Sequence, residues 1–173
     1  MSRIILAVGL VMGLAVVPQA RAEVKVTVSA THLCCGQCLR GVDAALKDVA
    51  GVKHTSNQQA KTIELVAESK AAAQKAIDAL AAAGFYGKLD SDQVKFPPIQ
   101  TGAETAQRLE LTGIHNCCGA CTNAIKAAVT AVPGVTGTDI QNRKTSFVVE
   151  GNFKPGELVQ ALLNAGFYVQ VKK

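Results

Sequence analysis

Val24, Val26 and Val28 alternate with Lys25, Thr27 and Ser29, the two-residue period of a strand with one buried face. Leu39, Val42, Leu46 and Val49 then recur at helical spacing, and the run stops at Gly51-Val52. Short apolar runs over about 52–57 and 61–66 flank the polar "NQQA" and predict a hairpin. The alanine-rich stretch 69–83, with Ile77 and Leu80, predicts a second helix that ends before Gly84, and "FYGKL" predicts a closing strand. The same order returns downstream. Leu109 and Leu111 alternate with Arg108, Glu110 and Thr112; Ile125, Val129 and Val132 have helical spacing; strands are expected at about 135–140 and 145–150 around "QNR"; Leu158, Val159, Leu162 and Leu163 precede Gly166 and "FYVQV".

Both passages therefore read β-α-β-β-α-β. This split βαβ order is the ferredoxin-like α+β arrangement, in which two helices cover one face of a four-stranded antiparallel sheet. The copies are related in detail as well as in outline. His32 maps to His115, Val52 to Val135 and Lys61-Thr62 to Lys144-Thr145 at one offset, while "AGFY" recurs at 83–86 and 165–168 at an offset one residue shorter. Alternation wants Ile63 and Leu65 inward in the first copy but Phe147 and Val149 in the second, so one hairpin loop should differ by a residue. Residues 23–89 and 107–173 form the two units, and 90–106, with Pro97-Pro98 at the middle, reads as a linker.

Residues 1–22 have another character. Arg3 precedes an apolar run from Ile4 to Val17, and Ala20-Arg21-Ala22 has the small-x-small form of a signal-peptidase site, so cleavage after Ala22 and export are expected. A membrane anchor is the competing reading, but about 14 apolar residues are short for a bilayer span. Removal of Arg3 and Arg21 lowers the formal charge of the 173-residue chain from +5 to +3. Lys and Arg are scattered, aromatics are few and Trp is absent, which argues against a nucleic-acid partner.

Export sharpens the question posed by the six cysteines, all of which lie in "HLCCGQC" (32–38) and "HNCCGAC" (115–121). An oxidising compartment converts idle thiols to disulfides, so these need partners or an occupant. The predicted topology puts each segment at the β1–α1 junction of its unit. There the free N–H groups of a helix start stabilise thiolates, and two sulfurs separated by two residues can converge on one thiophilic ion. Gly36 and Gly119 let the backbone turn between them.

Duplicated β-α-β-β-α-β units with Cys35-x-x-Cys38 and Cys118-x-x-Cys121 before helix one, and "AGF" before the last strand, resemble heavy-metal-associated domains. The resemblance covers nearly all of the chain beyond residue 22. It implies Cys35, Cys38, Cys118 and Cys121 as principal metal ligands, Cu(I) as favoured cargo with Zn(II) or Hg(II) as alternatives, and no catalysis. It further implies a metal transporter or acceptor metalloprotein as partner and a periplasmic location, while the short apolar run of residues 4–17 argues for no membrane insertion after cleavage.

The sequence also departs from that family. Leu33-Cys34 and Asn116-Cys117 stand where Met-Thr or Met-His is usual, giving each loop a third thiol, and Gly113-Ile114-His115 resembles the family's opening in a loop lengthened by two residues. Two sulfurs would suit linear Cu(I) or Hg(II), three a trigonal ion, and His plus three Cys a tetrahedral Zn(II). His32 and His115 are ligands, second-layer groups or simple caps of the helix start. Tyr86 and Tyr168 shield the site or pack as core with a hydroxyl at the rim. His54 lacks a counterpart and reads as surface strand. About one ion per unit is expected, and Cys38→Ser should abolish capture by the first unit without unfolding an exposed loop. Thiol–disulfide exchange and disulfide stapling of a protein-binding module are the rival functions, although neighbouring cysteines in one loop close little chain.

Overall fold

The computed structural model describes residues 23–102 and 104–172; residues 1–22, where a signal segment is expected, lie outside them. The first unit runs β1 (Val24–Ser29), α1 (Gly36–Leu46), β2 (Val52–Asn57), β3 (Thr62–Ala67), α2 (Lys70–Ala82) and β4 (Lys88–Leu89). The second repeats it as β5 (Ala106–Thr112), α3 (Gly119–Thr130), β6 (Val135–Thr138), β7 (Phe147–Phe153), α4 (Pro155–Asn164) and β8 (Gln170–Val171). Every strand pair is antiparallel, in the orders β2-β3-β1-β4 and β6-β7-β5-β8. Two ferredoxin-like α+β units are therefore present.

Alternation explains each sheet's buried face. Val26, Val28, Ile63 and Leu65 point inward against Val42, Leu46, Ile77 and Leu80 of the two helices, all at most 2% exposed. Burial of each such side chain contributes roughly 1.5–3 kcal/mol before the cost of ordering it. Ser69 starts α2 by accepting a bond from the Ala72 N–H, and Pro155 opens α4 with its φ already suited to a helix.

The one-residue mismatch between copies is real. Val28 pairs with Ile63, whereas its counterpart Leu111 pairs with Phe147, so the β6–β7 connection has gained a residue. Bulges between Ala106 and Arg108 and between Val135 and Gly137 absorb the change, and β7 runs on to Phe153 rather than stopping near 150.

The connecting segment is more than a spacer. Val94 is buried, the Lys95 backbone exchanges two bonds with the Gln74 side chain (3.0 and 2.7 Å), and Phe96 packs on Tyr86 with ring centroids 4.7 Å apart. The Tyr168 hydroxyl donates to the Pro97 carbonyl at 3.1 Å. Polar composition around two prolines gave no sign of this anchoring, which rests on the apolar Val94 and Phe96.

Candidate metal centre

Each cysteine loop leaves a strand, turns through a left-handed residue (Ala30 at φ 57°, Gly113 at φ 76°) and enters a helix. Cys35 and Cys118 are the residues just before α1 and α3, with nearly identical extended backbones (φ −158°, ψ 171° and φ −156°, ψ 173°). Neither helix start is capped by a side chain. Its unpaired N–H groups and partial positive charge are left to the sulfurs.

The loops are pinned differently behind the thiols. In the first, Leu33 is a buried apolar plug and Gln58 Nε2 donates to the Cys34 carbonyl at 3.1 Å. In the second, buried Asn116 donates to the carbonyls of Gln141 (2.8 Å) and Lys144 (3.1 Å) and accepts from Thr122 Oγ1 (2.8 Å). Asn116 thereby ties the longer second hairpin to the start of α3.

The two loops face each other. The contact is made by the repeated Gly-Phe-Tyr segments: Phe85 and Phe167 form an antiparallel bridge, Tyr86 N–H donates to Gly166 O (3.2 Å), and Tyr168 N–H donates to Gly84 O (3.0 Å). Gly84 (φ +83°) and Gly166 (φ +86°) each terminate a helix in the left-handed region, as the sequence predicts. They serve a second purpose as well. A Cβ on Gly84 would overlap the backbone N of His115 and lie 2.5 Å from Gly113 O, and one on Gly166 would overlap the backbone N of His32. Only glycine lets the units approach this closely.

Through that contact each histidine is roofed by the other unit's phenylalanine. His32 stacks on Phe167 at 4.4 Å and His115 on Phe85 at 4.2 Å. Both Nε2 atoms are buried without a hydrogen-bond partner. An unpaired buried ring nitrogen is costly unless something else occupies its lone pair or proton. His115 shares a 4.8 Å neighbourhood with Cys38, Cys117 and Cys121, and His32 with Cys34 and Cys121.

All six sulfurs belong to one cluster. Cys34 lies 3.5 Å from Cys118 and 3.4 Å from Cys121, and Cys117 lies 3.9 Å from Cys35 and 3.6 Å from Cys38. The third thiol of each loop thus reaches the Cys-x-x-Cys pair of the opposite unit. Cys38 and Cys121 are fully buried, which corrects the expectation of an exposed loop at Cys38, while the other four are partly exposed. All six are free thiols. Tyr168 has a buried ring with its hydroxyl bonded to the Pro97 carbonyl, whereas Tyr86 is half-buried and packs on Phe96 of the connecting segment. His54, on β2, pairs with Asp43 at 2.9 Å.

So many thiols cannot all ionise together. Cys38 is drawn down to about 2, first by the Cys121 thiol donating to it, with help from His115 and the Cys35 backbone at the helix start. Cys121 is pushed up for the same reason, because it keeps the proton it shares with Cys38. Burial pushes Cys34 up and Cys117 up to about 12. The backbone N–H of Cys121 draws Cys118 down to about 7. Burial lowers His32, favouring the neutral ring with a free lone pair.

The spacing also has chemical content. With a bond of about 2.3 Å to a thiophilic ion, sulfurs lie about 4.6 Å apart in linear, about 4.0 Å in trigonal and about 3.8 Å in tetrahedral coordination. The observed 3.4–3.9 Å separations lie at or slightly inside the latter two and well short of the linear value. Sequence reasoning found every thiol and both histidines but not their union. It named Asn116 without its anchoring role and passed over Phe85 and Phe167, for which the recurring "AGFY" was the available signal.

The element order on which the resemblance to heavy-metal-associated domains rests, with the Cys-x-x-Cys pair between the first strand and first helix, is present in both units. No family model matches the chain. Among solved structures, oxidized MerP from Ralstonia metallidurans CH34 is similar at 28% identity, covering 40% of this chain and 99% of that one, with a TM-score of 0.33. The N-terminal soluble domains of Bacillus subtilis CopA are similar at 20% identity, covering 88% and 95%, also at 0.33. The first two RRM domains of yeast Pub1, a poly(U) binding protein, cover 86% and 97% at 10% identity and 0.21. Likenesses at such scores do not bear on function.

Proposed function

We propose that the protein captures soft, thiophilic metal ions in a single thiol cluster shared by its two units, residues 23–89 and 107–173, and that it does so without catalysis. The observation that carries this reading is the convergence of six free sulfurs within 3.4–3.9 Å contacts at two uncapped helix starts. Thiolate donors favour Cu(I), Zn(II) and other soft ions over Mg or Ca. Cu(I) is the favoured cargo, because it accepts three sulfurs without a fourth ligand, whereas linear Hg(II) would want a wider pair and Zn(II) a fourth ligand in tetrahedral array. Cys35, Cys38, Cys118 and Cys121 act as principal ligands, Cys34 and Cys117 complete the set across the interface, and His32 and His115 supply nitrogen where a fourth ligand is needed.

The signal-like residues 1–22 support a role outside the cytoplasm in transfer, buffering or detoxification, with a transporter or acceptor metalloprotein as partner. Among the described residues no helix is long and apolar enough to cross a membrane. The test is metal analysis of the reduced protein after dialysis against a mild competing chelator. Retention of copper, zinc or mercury supports capture; loss of all three refutes it. Turnover of a disulfide substrate by metal-free protein would instead point to thiol–disulfide exchange.

A further inference from the structure

The six sulfurs have a definite polyhedral arrangement. Nine pairs are in contact at 3.4–3.9 Å. Three more, Cys34/Cys35, Cys35/Cys38 and Cys117/Cys118, fall within 4.8 Å. Those twelve pairs are the edges of an octahedron. The three remaining pairs, Cys34/Cys117, Cys35/Cys121 and Cys38/Cys118, then fall at opposite corners.

An octahedron has two sets of four alternate faces, and His115 marks one of them. Its faces are Cys34/Cys35/Cys38, Cys35/Cys117/Cys118, Cys38/Cys117/Cys121 and Cys34/Cys118/Cys121. His115 sits over the third, and His32 beside the Cys34–Cys121 edge of the fourth. The Cys38/Cys117/Cys121 face has edges of 3.6, 3.7 and 3.9 Å and the Cys34/Cys118/Cys121 face edges of 3.5, 3.4 and 3.8 Å. An ion centred in them lies about 2.2 and about 2.1 Å from each sulfur, slightly inside the roughly 2.3 Å of a zinc–thiolate bond.

We infer that the chain holds a polynuclear thiolate cluster of four Cu(I) ions, one in each of these faces, with every sulfur bridging two ions. The inference rests on the capture reading and deepens it from "a soft ion" to a stated number and connectivity. Four Cu(I) and six thiolates carry a net charge of −2. The two helix starts, each equivalent to about half a positive charge, offset part of it. Zn(II) behaves differently here. It wants a fourth ligand, and only the two faces near His115 and His32 offer one, so the site takes at most two zinc ions.

The test is anaerobic titration of the reduced protein with Cu(I) against a Cu(I)-selective chelator. Native mass spectrometry counts the ions, and copper-edge absorption reads sulfur number and metal–metal scattering. Four copper ions per chain are expected, each with about three sulfurs, and with a metal–metal shell near 2.5 Å, because centres of alternate faces lie two-thirds of an edge apart. Cys34→Ser and Cys117→Ser, at partly exposed positions, each remove one corner and so two faces, and should halve capacity to two. Far-UV circular dichroism checks that each variant remains folded, and the wild-type count stands without them. Saturation at one or two ions with no metal–metal shell overturns the cluster and leaves capture intact. Failure to retain any copper or zinc overturns capture itself.

Discussion

Gly84→Ala separates the interface from the units that form it. At φ +83° an alanine costs about 1–2 kcal/mol as a left-handed residue, whatever surrounds it. The added Cβ would also overlap His115 N and come within 2.5 Å of Gly113 O and 2.6 Å of the Ile114 carbonyl carbon, all backbone atoms of the other unit that no side-chain rotation can move. Comfortable contact begins at about 3.5 Å, so the units must part by about 1 Å locally. A shift of that size opens cross-unit sulfur pairs now at 3.4–3.9 Å beyond the roughly 4.0 Å that one three-coordinate ion can bridge. The α2 helix and its own sheet do not depend on that contact. Gly102 supplies the control, because it has φ +74° but nothing within 4 Å of its added Cβ. Gly102→Ala therefore carries the backbone strain without the collision. Denaturant unfolding should find the backbone strain of about 1–2 kcal/mol in both, with a further loss in Gly84→Ala where the interface is forced apart, while metal counting after chelator challenge should find lost capacity in Gly84→Ala alone. If Gly84→Ala retains as many ions as the wild type, docking of the units is not what builds the site.

The remaining expectations follow from individual contacts. Phe167→Ala removes a fully buried ring and the roof over His32; a loss of about 3–5 kcal/mol is expected, read by thermal unfolding, with weakened metal retention beside it. Asn116→Ala strands the carbonyls of Gln141 and Lys144 and should cost about 1–3 kcal/mol, whereas Gln58→Ala, at an exposed position, should cost far less. Brief alkylation of the apo protein should mark Cys118 first: its value of about 7 is lowered, so it is mostly thiolate above that pH and thiol below it, and its rate should fall about fivefold from pH 7 to pH 6. Cys117, held up to about 12, and buried Cys121 should react last, and peptide mass spectrometry after quenching gives the order.

Strand order, helix limits and cysteine placement were legible because each is local: Val24 to Ser29 alternate, Ile77 and Leu80 keep helical spacing, and Gly84 and Gly166 stop the helices that precede them. The mismatch between Ile63 and Phe147 was legible for the same reason, since alternation cannot tolerate a slip of one residue. What the sequence hid was the relation between the copies. A constant offset says that two units are alike and nothing about whether they touch. Judged within one unit, Cys34 and Cys117 looked like surplus thiols beside a complete Cys-x-x-Cys pair, and His32 and His115 like caps. Their meaning depends on Phe85 meeting Phe167 and on two glycines whose missing side chains leave room for the other unit's backbone. Those glycines were read as helix stops, which they are, and that explanation was sufficient locally. A residue that satisfies one requirement gives no sequence signal for a second. The clue that remained was the retention of a third thiol in both loops, because three sulfurs leave one over once two are paired, a liability in an oxidising compartment unless the other unit engages it.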